Sequence, residues 1–167
     1  DQFLLVNNLV LTTDWLHGDA AFKPADWRIR LTHIFNVNHL VVDELGIVSS
    51  DVRKGTARTR FDYALEEWFF ETKLVDIGPE YDFVSVRAGS QLFVSDFRGF
   101  VFADTNRMVR LFGNREADRD QFNIVFVDQT EKETNSFLNT FDDRHQNTLI
   151  VNYFKQVALV FGAGAAL

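Results

Sequence analysis

The residues most able to act on a solute are charged side chains set inside alternating stretches. V-R-A-G-S-Q-L-F-V-S-D-F-R-G-F (86–100) carries Arg87, Gln91 and Arg98. E-E-W-F-F-E-T-K-L (66–74) carries Glu67, Glu71 and Lys73, and M-V-R-L-F-G (108–113) carries Arg110. Arginine presents a planar fork that holds carboxylates in fixed geometry. Such groups bind and steer charge, and nothing in their local sequence supports a nucleophile. No G-x-S-x-G, P-loop or G-x-G-x-x-G occurs. Ser90 and Ser95 have no local base, so no catalytic residue is assigned and no enzyme is expected. His17, His33, His39 and His145 are scattered, and Asp118, Asp120, Asp142 and Asp143 match no EF-hand pattern. Neither a metal nor a cofactor is expected.

A charged side chain is costly to bury unless it is paired, so the elements holding these residues must offer them a polar face. Segment 26–39, D-W-R-I-R-L-T-H-I-F-N-V-N-H, puts Trp27, Ile29, Leu31, Phe35 and Val37 on one parity. Arg28, Arg30, Thr32, Asn36 and Asn38 take the other, which is the period of a two-faced strand. Its length exceeds the ~5–6 residues usual in soluble proteins and suits the ~9–11 that cross a bilayer at a tilt. Further strands are expected over 2–13, 82–93, 107–113, 121–130 and 148–155. Segment 61–76 reads either as a helix lined by Leu65, Trp68, Phe69 and Thr72, or as a strand with Trp68, Phe70, Thr72 and Leu74 on one side. Its aromatic content favours the strand. Residues 77–82 and 114–120 read as turns, while 17–24, 43–60 and 131–147 read as longer polar loops.

The 167 residues suffice for one domain. The net charge of −7 and the lack of a basic stripe argue against nucleic acid as a partner. Without cysteine there is no disulfide framework. No apolar run reaches the length of a transmembrane helix, but barrel strands never form such runs. The opening Asp1-Gln2 lacks the basic start of a secretory leader; if the protein is secreted, a mature form or an internal piece is expected. Residues 157–167 form a small, apolar, uncharged tail.

Two environments fit this pattern. In a soluble half-exposed sheet the charged parity is simply solvated. In a membrane barrel, Arg28, Arg30, Glu67, Glu71, Lys73, Arg87 and Arg110 project into a lumen where acids and bases of adjoining strands pair. Trp15, Trp27, Tyr63, Trp68, Tyr81 and Tyr153 fall mostly near strand ends, as an interfacial girdle would.

R-A-G-S-Q (87–91), S-D-F-R-G-F (95–100) and M-V-R-L-F-G (108–113), preceded by E-E-W-F-F-E-T-K-L, resemble proteobacterial outer-membrane barrels of the alginate-export-like, porin-type group. The resemblance spans roughly residues 9–155. It implies an all-β fold, an antiparallel transmembrane-type β-barrel with about 7–8 strands in this chain, as a whole small barrel or part of a larger one. It implies passive transport or export of a polar or anionic solute across the outer membrane of a Gram-negative bacterium, with lipid and solute as partners. Glu67, Glu71, Arg87, Gln91, Arg98 and Arg110 would then be lumen or constriction residues. The alternative is a soluble or periplasmic lipocalin-like barrel that binds a small ligand.

Overall fold

Alternation of aromatic and β-branched residues with polar ones drives this chain into long strands. The computed structural model describes residues 2–21, 23–42, 57–78, 81–95, 101–133 and 136–156. Seven strands follow one another: β1 (Gln2–His17), β2 (Trp27–Val42), β3 (Ala57–Asp76), β4 (Phe83–Val94), β5 (Ala103–Arg115), β6 (Asp120–Lys132) and β7 (Asn139–Lys155). Each pairs antiparallel with the next, giving one meandering sheet in the order β1 to β7. The fold is therefore all-β, as expected, and the sheet is open. Among the described residues, β1 and β7 each have a partner on one side only. No helix among them is long and apolar enough to cross a membrane, which says nothing about strands.

The ambiguous segment is strand throughout and forms the core of the 20-residue β3. Its helical propensity is overridden by pairing on both sides, with β2 and with β4. The expected loop over 131–147 is corrected: the second half of it, from Asn139, already belongs to β7. That half, N-T-F-D-D-R-H-Q-N, is polar and mostly exposed, so it shows no apolar face to read. His145 has a positive φ of 57°, and the β6–β7 register shifts around Thr130 and Lys132, as extra residues in a strand require.

Register sorts the side chains into two faces. Trp15, Ile29, Phe70, Ala88, Val109, Phe126 and Leu149 are successive cross-strand partners, a line that crosses all seven strands. Every one of them is exposed. Val84, Val86 and Leu92 share this outward face with them. The opposite face carries Leu16, Arg28, Glu71, Arg87, Arg110, Val125 and Ile150 in an equally continuous line.

That inward face is not polar throughout. Phe93, Met108, Val125, Val127 and Ile150 pack into a dry cluster over β4 to β7, with Phe102 against it. Ser95, just past β4, accepts a hydrogen bond from the Asn152 amide of β7 through its backbone carbonyl. The end of β4 thus curls over the inner side of the neighbouring strands. The β6–β7 connection also reaches back to β3, where Arg60 meets Glu133 (2.7 Å) and Glu66 accepts two hydrogen bonds from Asn139 (both 2.9 Å).

Two irregularities set the geometry of β3. Glu66 is an extra residue between the pairs His33–Leu65 and Thr32–Glu67, so parity inverts there: Phe61, Tyr63 and Leu65 face outward with Trp68 and Phe70. A second register shift falls between Lys73 and Val75. Opposite β3, Gly89 adopts φ +128°, and a Cβ at that position would lie 2.1 Å from the Trp68 carbonyl oxygen. Glycine is required by this close backbone approach and by a conformation that other residues avoid.

Candidate solute-binding surface

The charged side chains that alternation places on one parity of β2 to β5 meet as a connected ladder. Asp14 of β1 begins it. Its two carboxylate oxygens accept from Arg28 (3.0 and 3.0 Å) and from Arg30 (2.9 and 2.8 Å), a double fork on one acid. Arg30 also lies 3.7 Å from Glu67, which accepts a hydrogen bond from the Thr32 hydroxyl at 3.0 Å. Glu71, almost wholly buried, receives the Arg87 guanidinium at 2.5 and 2.7 Å.

Aromatic rings fill the spaces between these charges. The buried Phe69 ring lies under three guanidiniums, with Arg87 4.5 Å, Arg28 5.7 Å and Arg30 5.8 Å from its centroid. Phe112 lies under two, Arg110 at 4.3 Å and Arg87 at 5.5 Å. Electron-rich ring faces attract cations, more so where water is excluded, so these rings help hold arginines that outnumber the nearby acids.

Lys73 belongs to a second cluster at the lower rim. Its ammonium pairs with Asp26 (2.9 Å) and Asp76 (3.4 Å), and Asp76 also binds Lys23 (3.1 Å). Hydrogen bonding to Lys73 holds the Asp26 carboxyl below its ordinary pKa. Asp26 closes the β1–β2 turn, with its backbone N–H donating to the His17 carbonyl at 2.8 Å.

Arg110 differs from the other arginines. Its Nε donates to the Asn123 side chain at 2.7 Å, and no carboxylate pairs with it among the described residues. It sits directly opposite Arg87 in the β4–β5 register. Beside it opens a cleft of about 670 Å³ lined by Lys23, Phe83, Phe112, Asn114, Gln121 and Asn123, among others.

The structure thus brings Glu67, Glu71, Arg87 and Arg110 together on one surface with Arg28 and Arg30, and places Lys73 at its edge. Gln91 shares that face but is completely enclosed, with no hydrogen-bond partner for either amide atom among the described residues. Its side chain is enclosed and not open to solvent. Arg98 lies outside the described residues. Sequence reading missed Asp14, Phe69, Phe112 and Asn123. Asp14 lies just past the expected end of the first strand, and the alternation gives the rings no role beside the charges. No group of three or more histidines and carboxylates among the described residues is placed to hold a metal.

These features define an antiparallel meander sheet with an exposed apolar face and a charged, aromatic-lined opposite face. No family model, curated protein or solved structure matches the chain.

Proposed function

We propose that this chain forms the wall of an outer-membrane β-barrel channel that passes a polar or anionic solute and performs no chemistry. The observation that carries the reading is the outward face of β5 to β7. Val109, Leu111, Phe122, Ile124, Phe126, Leu149, Val151 and Tyr153 form an apolar field there. It is bracketed by Arg107, Asp128 and Asn147 at one end and by Arg115, Asp120 and Lys155 at the other. From Arg107 to Arg115 the strand rises about 27 Å at roughly 3.4 Å per residue. Tilted by about 40°, that is about 21 Å, close to the apolar belt of about 25 Å that membrane barrels present to lipid. A soluble sheet gains nothing by exposing such a field, whereas lipid would cover it. The ladder from Asp14 to Arg110 would then face the aqueous path.

A specific feature favours a second reading, a periplasmic ligand-binding barrel: the dry cluster around Val125 and Val127 fills part of the inward face. Solubility separates the two. The membrane reading expects the purified chain to require detergent and to migrate differently on a gel before and after boiling. A monodisperse, detergent-free chain with no heat shift would sink it. In a planar bilayer, conductance with anion preference is expected, and Arg110→Glu should reverse that preference. Unaltered selectivity would remove Arg110 from the path.

A further inference from the structure

Counting charge along one inward line of partners exposes an imbalance. Glu71, Arg87 and Arg110 stand in register on β3, β4 and β5. Both Arg87 bonds go to the single carboxylate of Glu71. Arg110 faces a like charge across the strand pair, which is destabilising. Of its five N–H donors, one is used by Asn123, and the others have no acceptor among the described residues. A half-buried guanidinium in that state lacks the counter-charge that such groups ordinarily have.

The space beside it is suited to supply one. The cleft of about 670 Å³ falls within the size range of small-molecule sites. Phe83 and Phe112 meet edge to face with centroids 6.1 Å apart and give it an apolar corner against which the face of one ring is available. Asp118 also lines the cleft, but its carboxylate is engaged by the amides of Asn114 and Gln121, both at 3.1 Å. Asn114 lies four residues along β5 from Arg110, about 13 Å at the strand rise, so this acid sits at the mouth and leaves the guanidinium end positive.

We infer that the cleft at Arg110 binds a small organic monocarboxylate with a flat, apolar body. The carboxylate takes both terminal nitrogens of Arg110, a bidentate pairing that is stronger and more directional than a neutral hydrogen bond. The body lies along Phe83 and Phe112, and the Asn123 amide fixes the guanidinium plane. The inference rests on the reading of this face as a solute path and narrows the solute class. Its test is an equilibrium measurement that needs no channel activity.

The full chain, held in whichever medium keeps it monodisperse, is titrated calorimetrically with benzoate and with neutral benzamide of matching shape. Benzoate is expected to bind at least about tenfold more tightly than benzamide, and Arg110→Gln should erase that difference. Phe112→Leu should weaken benzoate severalfold while leaving the preference for the anion. Equal affinity for the two probes overturns the inference, as does absence of benzoate binding or an Arg110→Gln chain that binds benzoate normally. Chloride or phosphate competing as well as benzoate would overturn the apolar part. The comparison of two probes on the unaltered chain stands even if a variant does not fold. Binding without bilayer conductance would overturn the channel alone, and conductance without binding would overturn the site alone.

Discussion

The Arg87 guanidinium lies 4.5 Å from the centroid of the Phe69 ring while both of its bonds go to Glu71, two residues along the same strand as that ring. Acid and ring project from the same face of β3 because their spacing is two, and the arginine reaches them from the adjoining β4. The pair is nearly dry, so it belongs to the regime in which removing one partner is far worse than removing both.

Glu71→Gln should therefore destabilise the chain by about 3 kcal/mol, since it strips Arg87, which already faces Arg110 across the strand pair, of its one acid partner. Combining Glu71→Met with Arg87→Met should recover much of that loss. Denaturation midpoints of the two singles and the double measure the coupling, and additive losses would show that the contact contributes little.

At Asp14, one carboxylate holds Arg28 and Arg30 together. These side chains are about a quarter exposed, so solvent screening limits the effect. Asp14→Asn should cost about 1–2 kcal/mol, and the loss should shrink when Arg28→Gln is also present. A double variant no better than the single would show that the two arginines do not compete for this acid.

Gly89→Ala should be among the most damaging single changes, costing about 3 kcal/mol or more, because the strained φ and the clash with the Trp68 carbonyl act together. Gly78 has open space around its would-be Cβ, so Gly78→Ala serves as the control. Comparable midpoints for the two variants would contradict the close approach of β4 to β3.

Acid should loosen the lower rim. The Asp26 pKa is depressed in the folded chain by its bond to Lys73, so the unfolded chain takes up that proton first as pH falls. The contribution of the pair is fully present above the ordinary carboxylate pKa of about 4 and is lost as pH drops through the lower folded value. Hydrogen exchange of the 18–26 turn should quicken below about pH 4, and Asp26→Asn should show that faster exchange already at neutral pH. A turn whose exchange ignores both changes would dissociate Asp26 from rim stability.

The strands were legible wherever one face is apolar and the other polar. In β2, Trp27, Ile29 and Leu31 against Arg28, Arg30 and Thr32 fix both strand and face. The charged parity that supplies Glu71, Arg87 and Arg110 could be read the same way. The extra residue at Glu66 could not, because inserting one residue leaves local alternation intact on either side and only the partner strand reveals the inversion. Nor could the double use of Asp14, which depends on a sixteen-pair register with β2. Gln91 read as a lumen residue because parity gives direction and not enclosure.

The two edges of the sheet, each paired on one side only among the described residues, set a condition on how this protein reaches its working state. Among the described residues β1 is paired with β2 alone, and its side chains are exposed on both faces, Leu4 and Val10 as much as Leu5 and Leu9. In water an unpaired backbone row is hydrated and tolerable. In hydrocarbon each bare N–H or C=O costs several kcal/mol, so a free margin many residues long forbids entry. On the membrane reading, insertion and edge closure must be one concerted event: β1 and β7 have to acquire strand partners as the sheet leaves water. On that reading the order of assembly is dictated by the rim of the sheet rather than by its charged interior.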